Sequence, residues 1–505
     1  MYTLLIDYKL FINKRGFYLM KTENYVITTT LRDNFGGRTK ALLQRSLLLS
    51  KEFGLNFTFI TGNFNPNYYQ IYELYKKQGY VSSDAKFINI YDYIAGRDYQ
   101  YKRKKQRTYK LKGYDIQEVK EGEIYRYFKN GEYVKYRKFD SESGALIFED
   151  IMDLYNRKRK ERLEYNDFGY LARKTIYKTD TLQISTQLYY DDKGKVYLEK
   201  WFKGGKSNPS KILLFQKDGI KEFQTEKIFL RYALNLILTD NSNTFCDARL
   251  FDKPLLECKV NTRKICILHS SHLMDGTIRK SYKYLLDHPE KVDNVVVLTE
   301  EQYGDLLSYG IQPEKMFVIP HTITMKQQSD TNNVKNRKKE IVFVGRLAAE
   351  KQIDHGIKAF ELIANQYPEW NFSIYGDGAE FETLDTLIKE RGLQERVTLK
   401  GFTDNPKKAF QNAAFSIVTS QYEGFGLIIL ESINEGCPVL SYDFKYGPKD
   451  IIIENQTGKI VEKNNIDELA KGMKDMIDSP LSGEVKLDGK FDETHYLKNW
   501  KEALL

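Results

Sequence analysis

Glu423 and Glu431 are separated by seven residues, and Gly424-Phe425-Gly426-Leu427 fills the start of that gap. The apolar run at 415–420 reads as a buried strand and 427–435 as a helix. The glycines therefore fall where a strand hands over to a helix N-terminus, a junction that binds anions and sugar phosphates in α/β folds. N–H groups of Phe425, Gly426 and Leu427 would face a phosphate there, and Gly424 and Gly426 would let it come close. Glu423 lies in the loop, and Glu431, about two turns along, would point back at a ribose or sugar hydroxyl. Arg346 and Lys351 follow another apolar strand at 341–345, which puts them at the same edge of the sheet. Two fixed cations there would neutralise a diphosphate leaving group in place of a divalent metal.

Asn34-Phe35-Gly36-Gly37-Arg38-Thr39 joins the first strand to the first helix. Gly36 and Gly37 would either hold a phosphate or sugar against backbone N–H groups or serve only tight packing of the turn. His269 and His272 share Leu268-His269-Ser270-Ser271-His272, with no third ligand nearby, so no metal is expected. His269 reads either as a hydrogen-bonded structural residue or as a polar group beside the reacting sugar; His272 leans further to the structural role. The chain has no GxxxxGK[ST], no GxSxG and no GxGxxG on its first strand. Gly376-Asp377-Gly378 reads as a turn after a strand, and Asp191-Asp192 as a hairpin turn rather than a metal clamp.

The elements that must position these groups fall into an α/β rhythm. Strands at 25–30 and 57–61 alternate with helices at 36–53 and 68–78. Between about 84 and 222 the rhythm breaks into period-two runs separated by turn signals such as Asn130-Gly131 and Asn166-Asp167-Phe168-Gly169. This predicts an antiparallel β-meander inserted into the first α/β domain. Its basic clusters, Lys102-Arg103-Lys104-Lys105 with Arg107 and Arg157-Lys158-Arg159-Lys160 with Arg162, lie among tyrosines. They suit an acidic or sugar-bearing polymer, or equally solvated edges that resist aggregation. The rhythm resumes near 225, with a helix at 228–238 and strands at 265–269, 295–298 and 317–319. A polar stretch at 326–339 reads as a linker. Beyond it come strands at 341–345, 372–375, 397–399, 415–419 and 438–442, and a helical end at 491–505 holding His495, Tyr496 and Trp500. The predicted layout is therefore an extension at 1–19, a Rossmann-like domain from 20–83 and 223–325, the insert at 84–222, the linker, a second Rossmann-like domain at 340–485 and a final helix at 486–505. The two Rossmann-like domains are expected to face each other across a cleft.

In a chain of 505 residues with 41% apolar residues, two or three ordinary globular cores are accommodated. A formal net charge of +9 is compatible with a polyanionic partner or with a well-solvated surface. Cys246, Cys258, Cys266 and Cys437 have no CxxC spacing and sit in apolar runs, so reduced, buried thiols are expected. No apolar run approaches the ~20 residues that span a bilayer, and charges at Asp7, Lys9, Lys14 and Arg15 argue against a signal peptide. The expected location is the cytoplasm, with contact at the inner membrane face allowed. No nucleic-acid module is recognised.

Together the Glu423/Glu431 and Arg346/Lys351 pairs resemble the GT-B glycosyltransferases of family 4, which retain anomeric configuration. With the β-rich insert, the Asn34-Phe35-Gly36-Gly37 turn, Leu268-His269 and Lys445-Tyr446-Gly447-Pro448, the chain is similar to the TarM-type wall teichoic acid α-glycosyltransferases. The resemblance runs from about residue 20 to the end. It implies that Arg346 and Lys351 hold the diphosphate of a UDP-sugar, Glu431 the ribose and Glu423 the donor sugar. Gly37 would admit the donor phosphate or acceptor, and His269 would line the reaction centre. It also implies an α-linkage made without a metal or other cofactor, a homotrimer built through the insert, and a hinge at the linker. The expected donor is UDP-GlcNAc or UDP-glucose and the expected acceptor an anionic polyol-phosphate polymer. An O-GlcNAc transferase acting on serine-rich adhesins, and a non-catalytic pseudo-glycosyltransferase, are the alternatives.

Overall fold

The computed structural model describes residues 10–13, 16–19, 22–97, 103–104, 107–274, 276–324, 337–481 and 485–505, the first two stretches as backbone only. Lys102 and Lys105 of the first basic cluster and 326–336 of the expected linker lie outside the described residues. So does much of the 1–19 extension, of which Leu10–Asn13 and Gly16–Leu19 form an antiparallel strand pair. The chain divides into two compact units, one within residues 8–264 and one within 265–505.

In the first unit, Asn24–Thr28, Phe57–Thr61 and Lys86–Asn89 pair in parallel in that order, with Asn243–Cys246 on the far side of Asn24–Thr28. Asn24–Thr28 and Phe57–Thr61 are buried at every position, as apolar runs covered on both faces must be. The Gly37–Phe53 helix buries Leu42, Leu43 and Leu49 and ends at Gly54, whose φ of +66° closes the last turn with an N–H donated to Ser50 at 3.0 Å. Arg45 of this helix forms a bidentate, buried ion pair with Asp247, at 2.8 and 2.7 Å.

The insert is a ten-stranded antiparallel sheet running from Asp115–Lys120 to Gly219–Phe223, each strand paired with its neighbour in sequence. It begins later than 84 because Lys86–Asn89 belongs to the parallel sheet. The turn signals act as read: Asn130 and Gly131 both take positive φ, 52° and 78°, the backbone of a two-residue hairpin whose twist matches the strands. Asp191 accepts N–H bonds from Lys193 and Lys195 at the other expected turn, and Asp192 pairs with Arg97. Many tyrosines of this segment are core rather than surface: Tyr125, Tyr127 and Tyr165 pack with Phe139 and Leu146.

Arg263–Ile267, Asn294–Val297 and Met316–Val318 form consecutive parallel strands. A second, six-stranded parallel sheet has the order Val397–Gly401, Asn371–Tyr375, Lys338–Val344, Ala413–Val418, Val439–Tyr442, Gly458–Val461. Its core is built from Ile341, Phe343, Ile357, Phe360, Phe372, Ile374, Phe415 and Ile417, all buried. Gly458–Val461 was not expected from the sequence. Its glycine permits the pairing, since a Cβ at 458 would lie 2.1 Å from the carbonyl oxygen of Val439. Lys338 and Lys339, assigned to the linker, already belong to a strand. Arg337 ties the strand's start down by donating to the carbonyls of Phe410, Ala413 and Glu435. The Glu493–Leu504 helix is capped by Asp492, which accepts the N–H of His495 at 2.7 Å, and it buries Tyr496 and Trp500. The four cysteines are buried, and none forms a disulfide. Among the described residues no helix is long and apolar enough to cross a membrane.

Candidate active site

The loop after Ala413–Val418 is held from three sides. Thr419 Oγ1 donates to the carbonyl of Lys351 at 2.8 Å, and the N–H of Gln421 donates to the carbonyl of Glu350 at 2.8 Å. Glu423 exchanges backbone bonds with the 445–446 segment: its N–H donates to Lys445 at 3.0 Å, and its carbonyl accepts from Tyr446 at 3.1 Å. Its carboxylate accepts from Ser420 Oγ at 3.0 Å and from the ammonium of Lys351. The Lys351 and Glu423 side chains remain 20% and 21% exposed, so both can reach a ligand. Gly426 takes φ +82° and caps the Leu427–Asn434 helix, with Glu431 half-buried in the second turn. The opening N–H groups of that helix have no intrahelical acceptors, which suits an anion.

Arg346 lies on the loop after Lys338–Val344, largely exposed and paired with Glu350. This loop rests on Gly376-Asp377-Gly378: the N–H groups of Gly345 and Leu347 donate to Tyr375 and Asp377, each at 3.0 Å. A Cβ at Gly376 would lie 1.8 Å from the Gly345 oxygen, and one at Gly378 would lie 2.1 Å from the Leu347 oxygen. What the sequence offers as a turn is thus also the bed on which the arginine loop lies. Arg346, Lys351, Glu423 and Glu431 therefore come from loops and a helix start on two adjacent strands of one parallel sheet.

His269 joins them through the backbone. A Cβ at Gly424 would lie 2.0 Å from the His269 carbonyl oxygen and 2.6 Å from Ser270 Cα, so the glycine loop and the histidine loop touch. The His269 ring stacks on His321, with centroids 5.7 Å apart and planes at 14°. His321 in turn meets Phe425 edge-on at 5.2 Å. Sequence reasoning missed His321. The available signal was its place just after the strand at 316–318 and Pro320, at the C-terminal edge of a parallel sheet. His272 is structural, as its reading leaned: it is fully buried, and burial holds its imidazole below the usual range.

Gly36 and Gly37 lie in the other unit. Gly36 is exposed at the start of the 17-residue Gly37–Phe53 helix, with extended backbone and nothing within 4 Å of where a Cβ would sit. Packing does not require glycine there. Among the described residues no group of three or more His, Cys, Asp or Glu side chains could hold a metal ion. A cavity of about 660 Å³ borders the same region, but Asp354, Glu380, Glu382 and Glu390 line it together with Ala348 and Ala349. Its carboxylates would repel a diphosphate, so the cluster around Lys351 and Glu423 is the better anion site.

The likeness to known proteins follows this geometry. Residues 324–496 match the family model of glycosyl transferases group 1. The chain is 29% identical to the poly(glycerol-phosphate) alpha-glucosyltransferase of Bacillus subtilis (strain 168), over 95% of this chain and 75% of that protein. It is 28% identical to the poly(ribitol-phosphate) alpha-N-acetylglucosaminyltransferase of Staphylococcus aureus (strain COL), over 90% of this chain and 93% of that protein. A crystal structure of an S. aureus TarM variant, solved with fondaparinux, alpha-GlcNAc-glycerol and UDP, superposes with a TM-score of 0.79 at 24% identity and covers 96% of this chain and 99% of the other. The fold is GT-B. This GT-B chain places its matched segment, 324–496, over the six-stranded sheet that presents Arg346, Lys351, Glu423 and Glu431.

Proposed function

We propose that the protein is a retaining α-glycosyltransferase of family 4 that moves GlcNAc or glucose from a UDP-sugar onto a polyol-phosphate wall teichoic acid without a metal. The observation that carries this reading is the Lys351–Glu423 pair, set beside the Gly424–Gly426 loop at a helix start. An ammonium keeps donors to spare after meeting one carboxylate, so Lys351 can hold a phosphate oxygen and Glu423 together. Arg346, exposed on a braced loop, takes the other phosphate charge, and Glu431 takes the ribose. Glu423 accepts a hydroxyl of the donor sugar and orients it, with His269 lining the reaction centre.

In the proposed reaction the acceptor hydroxyl oxygen bonds to C1 of the sugar on the face that the leaving group vacates. The C1–O bond to UDP breaks, its electron pair stays on the β-phosphate, and the acceptor proton passes to a β-phosphate oxygen. Arg346 and Lys351 stabilise that developing charge. Gly36 and Gly37 admit the donor phosphate or acceptor. Gly36→Ala should leave stability within about 0.5 kcal/mol of wild type, because nothing packs where the methyl would lie. A several-fold loss of transfer in that variant would report a ligand at this turn; unchanged kinetics would remove Gly36 from the site.

The acceptor is assigned to the insert, as is a homotrimer contact, in a cytoplasmic protein that meets the inner membrane face. Arg159 and Arg162 both engage Asp150, which blunts the second basic cluster. Arg103, Lys104 and Arg107 are exposed and form no salt bridge among the described residues. Lys104 and Arg107 lie over the rings of Tyr170 and Tyr165. These three therefore take the polyanion. Surface attraction is screened within about 10 Å at 0.1 M salt, so the acceptor KM should rise several-fold between low and physiological salt while the donor KM moves less. Replacing Arg103, Lys104 and Arg107 with glutamine should raise the acceptor KM at low salt to the same extent. An acceptor KM indifferent to both changes would contradict a polyanionic acceptor at this site.

A further inference from the structure

The segment that pairs with Glu423 is anchored by a polar cluster built around a buried tyrosine. Tyr446 is fully buried, and its hydroxyl donates to Asp305 Oδ2 at 2.7 Å. That leaves the phenol oxygen to accept from Nδ1–H of His272, 3.3 Å away. Lys445 Nζ donates to the same Asp305 oxygen at 2.6 Å and lies 3.9 Å from Glu301. The ring of Tyr446 lies nearly parallel to that of His272, which Tyr309 meets edge-on. Burial raises the Asp305 carboxyl, but bonds from Lys445 and Tyr446 outweigh it and hold the group below its ordinary range. Asp305 therefore stays an anion and a firm acceptor. One residue further on, Gly447 takes φ +125°, and a Cβ there would lie 1.7 Å from the Phe425 carbonyl oxygen. The 445–447 segment thus touches the donor loop at Glu423 by two hydrogen bonds and at Phe425 by close packing.

We propose that Tyr446 is a positioning residue for Glu423: its hydroxyl, locked to Asp305 and His272, fixes the backbone that sets where the Glu423 carboxylate meets the donor sugar. The inference rests on the donor-site reading given above. Of the groups assigned to the nucleotide, Arg346, Lys351 and Glu431 lie on elements other than this segment, and only the N–H groups of Phe425–Leu427 adjoin it. Loosening it should therefore spoil the sugar's orientation and spare nucleotide affinity.

The test compares wild type, Tyr446→Phe and Asp305→Asn for UDP affinity, donor KM, kcat and melting temperature. Tyr446→Phe keeps the ring and removes only the hydroxyl. Misplacement by about 1 Å can lower a rate ~100-fold, and loss of one anchor among several should lower kcat about tenfold. UDP affinity and donor KM should stay within about twofold. Asp305→Asn keeps an acceptor for the phenol but loses the charge that holds Lys445, so its kcat should fall less; it also serves if Tyr446→Phe fails to fold. The double variant should be no worse than the weaker single variant, as expected for residues acting as one unit. Wild-type kcat in both single variants would overturn the inference, and so would a loss of UDP affinity matching the loss of kcat. A wild-type protein inert towards every UDP-sugar would overturn the functional reading itself, and the role given to Tyr446 with it.

Discussion

Glu423→Ala should lower kcat by about 10²–10³-fold, the range seen when one preorganised polar group is removed from a reaction centre, and leave UDP affinity close to wild type. In the proposed binding mode the carboxylate meets the sugar rather than the diphosphate, and its loss would free the ammonium of Lys351 for phosphate. Lys351→Ala should behave differently, with UDP affinity and kcat falling together, because the removed charge serves the leaving group. Neither change should unfold the protein. The pair is about one-fifth exposed, so water can reach the partner that either truncation leaves behind, and the cost should stay near the ~1–3 kcal/mol of an unpaired polar group. Titration with UDP and steady-state kinetics on both variants separate the two roles. Full turnover in either variant would remove that residue from the site.

Gly424→Ala should also damage transfer, by about 100-fold, for a reason of geometry rather than charge. The new methyl would sit 2.0 Å from the His269 carbonyl oxygen and 2.6 Å from Ser270 Cα. Both are backbone atoms, so no side chain can swing aside, and the glycine loop must move away from the histidine loop. That shift carries Phe425 away from His321 and breaks the ring contacts that reach His269. The expected stability loss is about 1–3 kcal/mol, typical of overpacking in a tight place. Gly36→Ala, where the methyl meets only open space, is the matched control for stability. Melting curves and transfer rates for the two variants should diverge on both axes. Wild-type transfer by a folded Gly424→Ala would show that the two loops need not touch.

The parts of this candidate site visible in the sequence are those whose placement is local. Glu423, the glycines and Glu431 lie within one loop and one helix start, and Arg346 and Lys351 within another loop, so residue type and spacing predicted that they share one sheet edge. The strand at 57–61 has the bounds its apolar run predicts, being buried at every position. The partners that shape the site were hidden because they are distant in sequence. His321 stacks on His269 52 residues away, and Tyr446 reaches Asp305 at a separation of 141. Neither contact has a periodicity to betray it. Gly458–Val461 was missed because four residues that open on a glycine look like loop; only the Val439 carbonyl pressed against that glycine explains the strand. The basic clusters and tyrosines of the insert read either as a polymer-binding surface or as solvated edges, because alternation gives two faces without saying which is covered. Tyr125, Tyr127 and Tyr165 lie on the covered one.

The central claim is tested most directly by UDP release from the purified protein in EDTA. UDP-GlcNAc and UDP-glucose are offered in turn, each with ribitol-phosphate polymer, glycerol-phosphate polymer or a serine-rich peptide. The account predicts turnover that requires a polyol-phosphate polymer, proceeds without metal and gives an α-linked product. Turnover with the peptide alone, or none with any pairing, would contradict it.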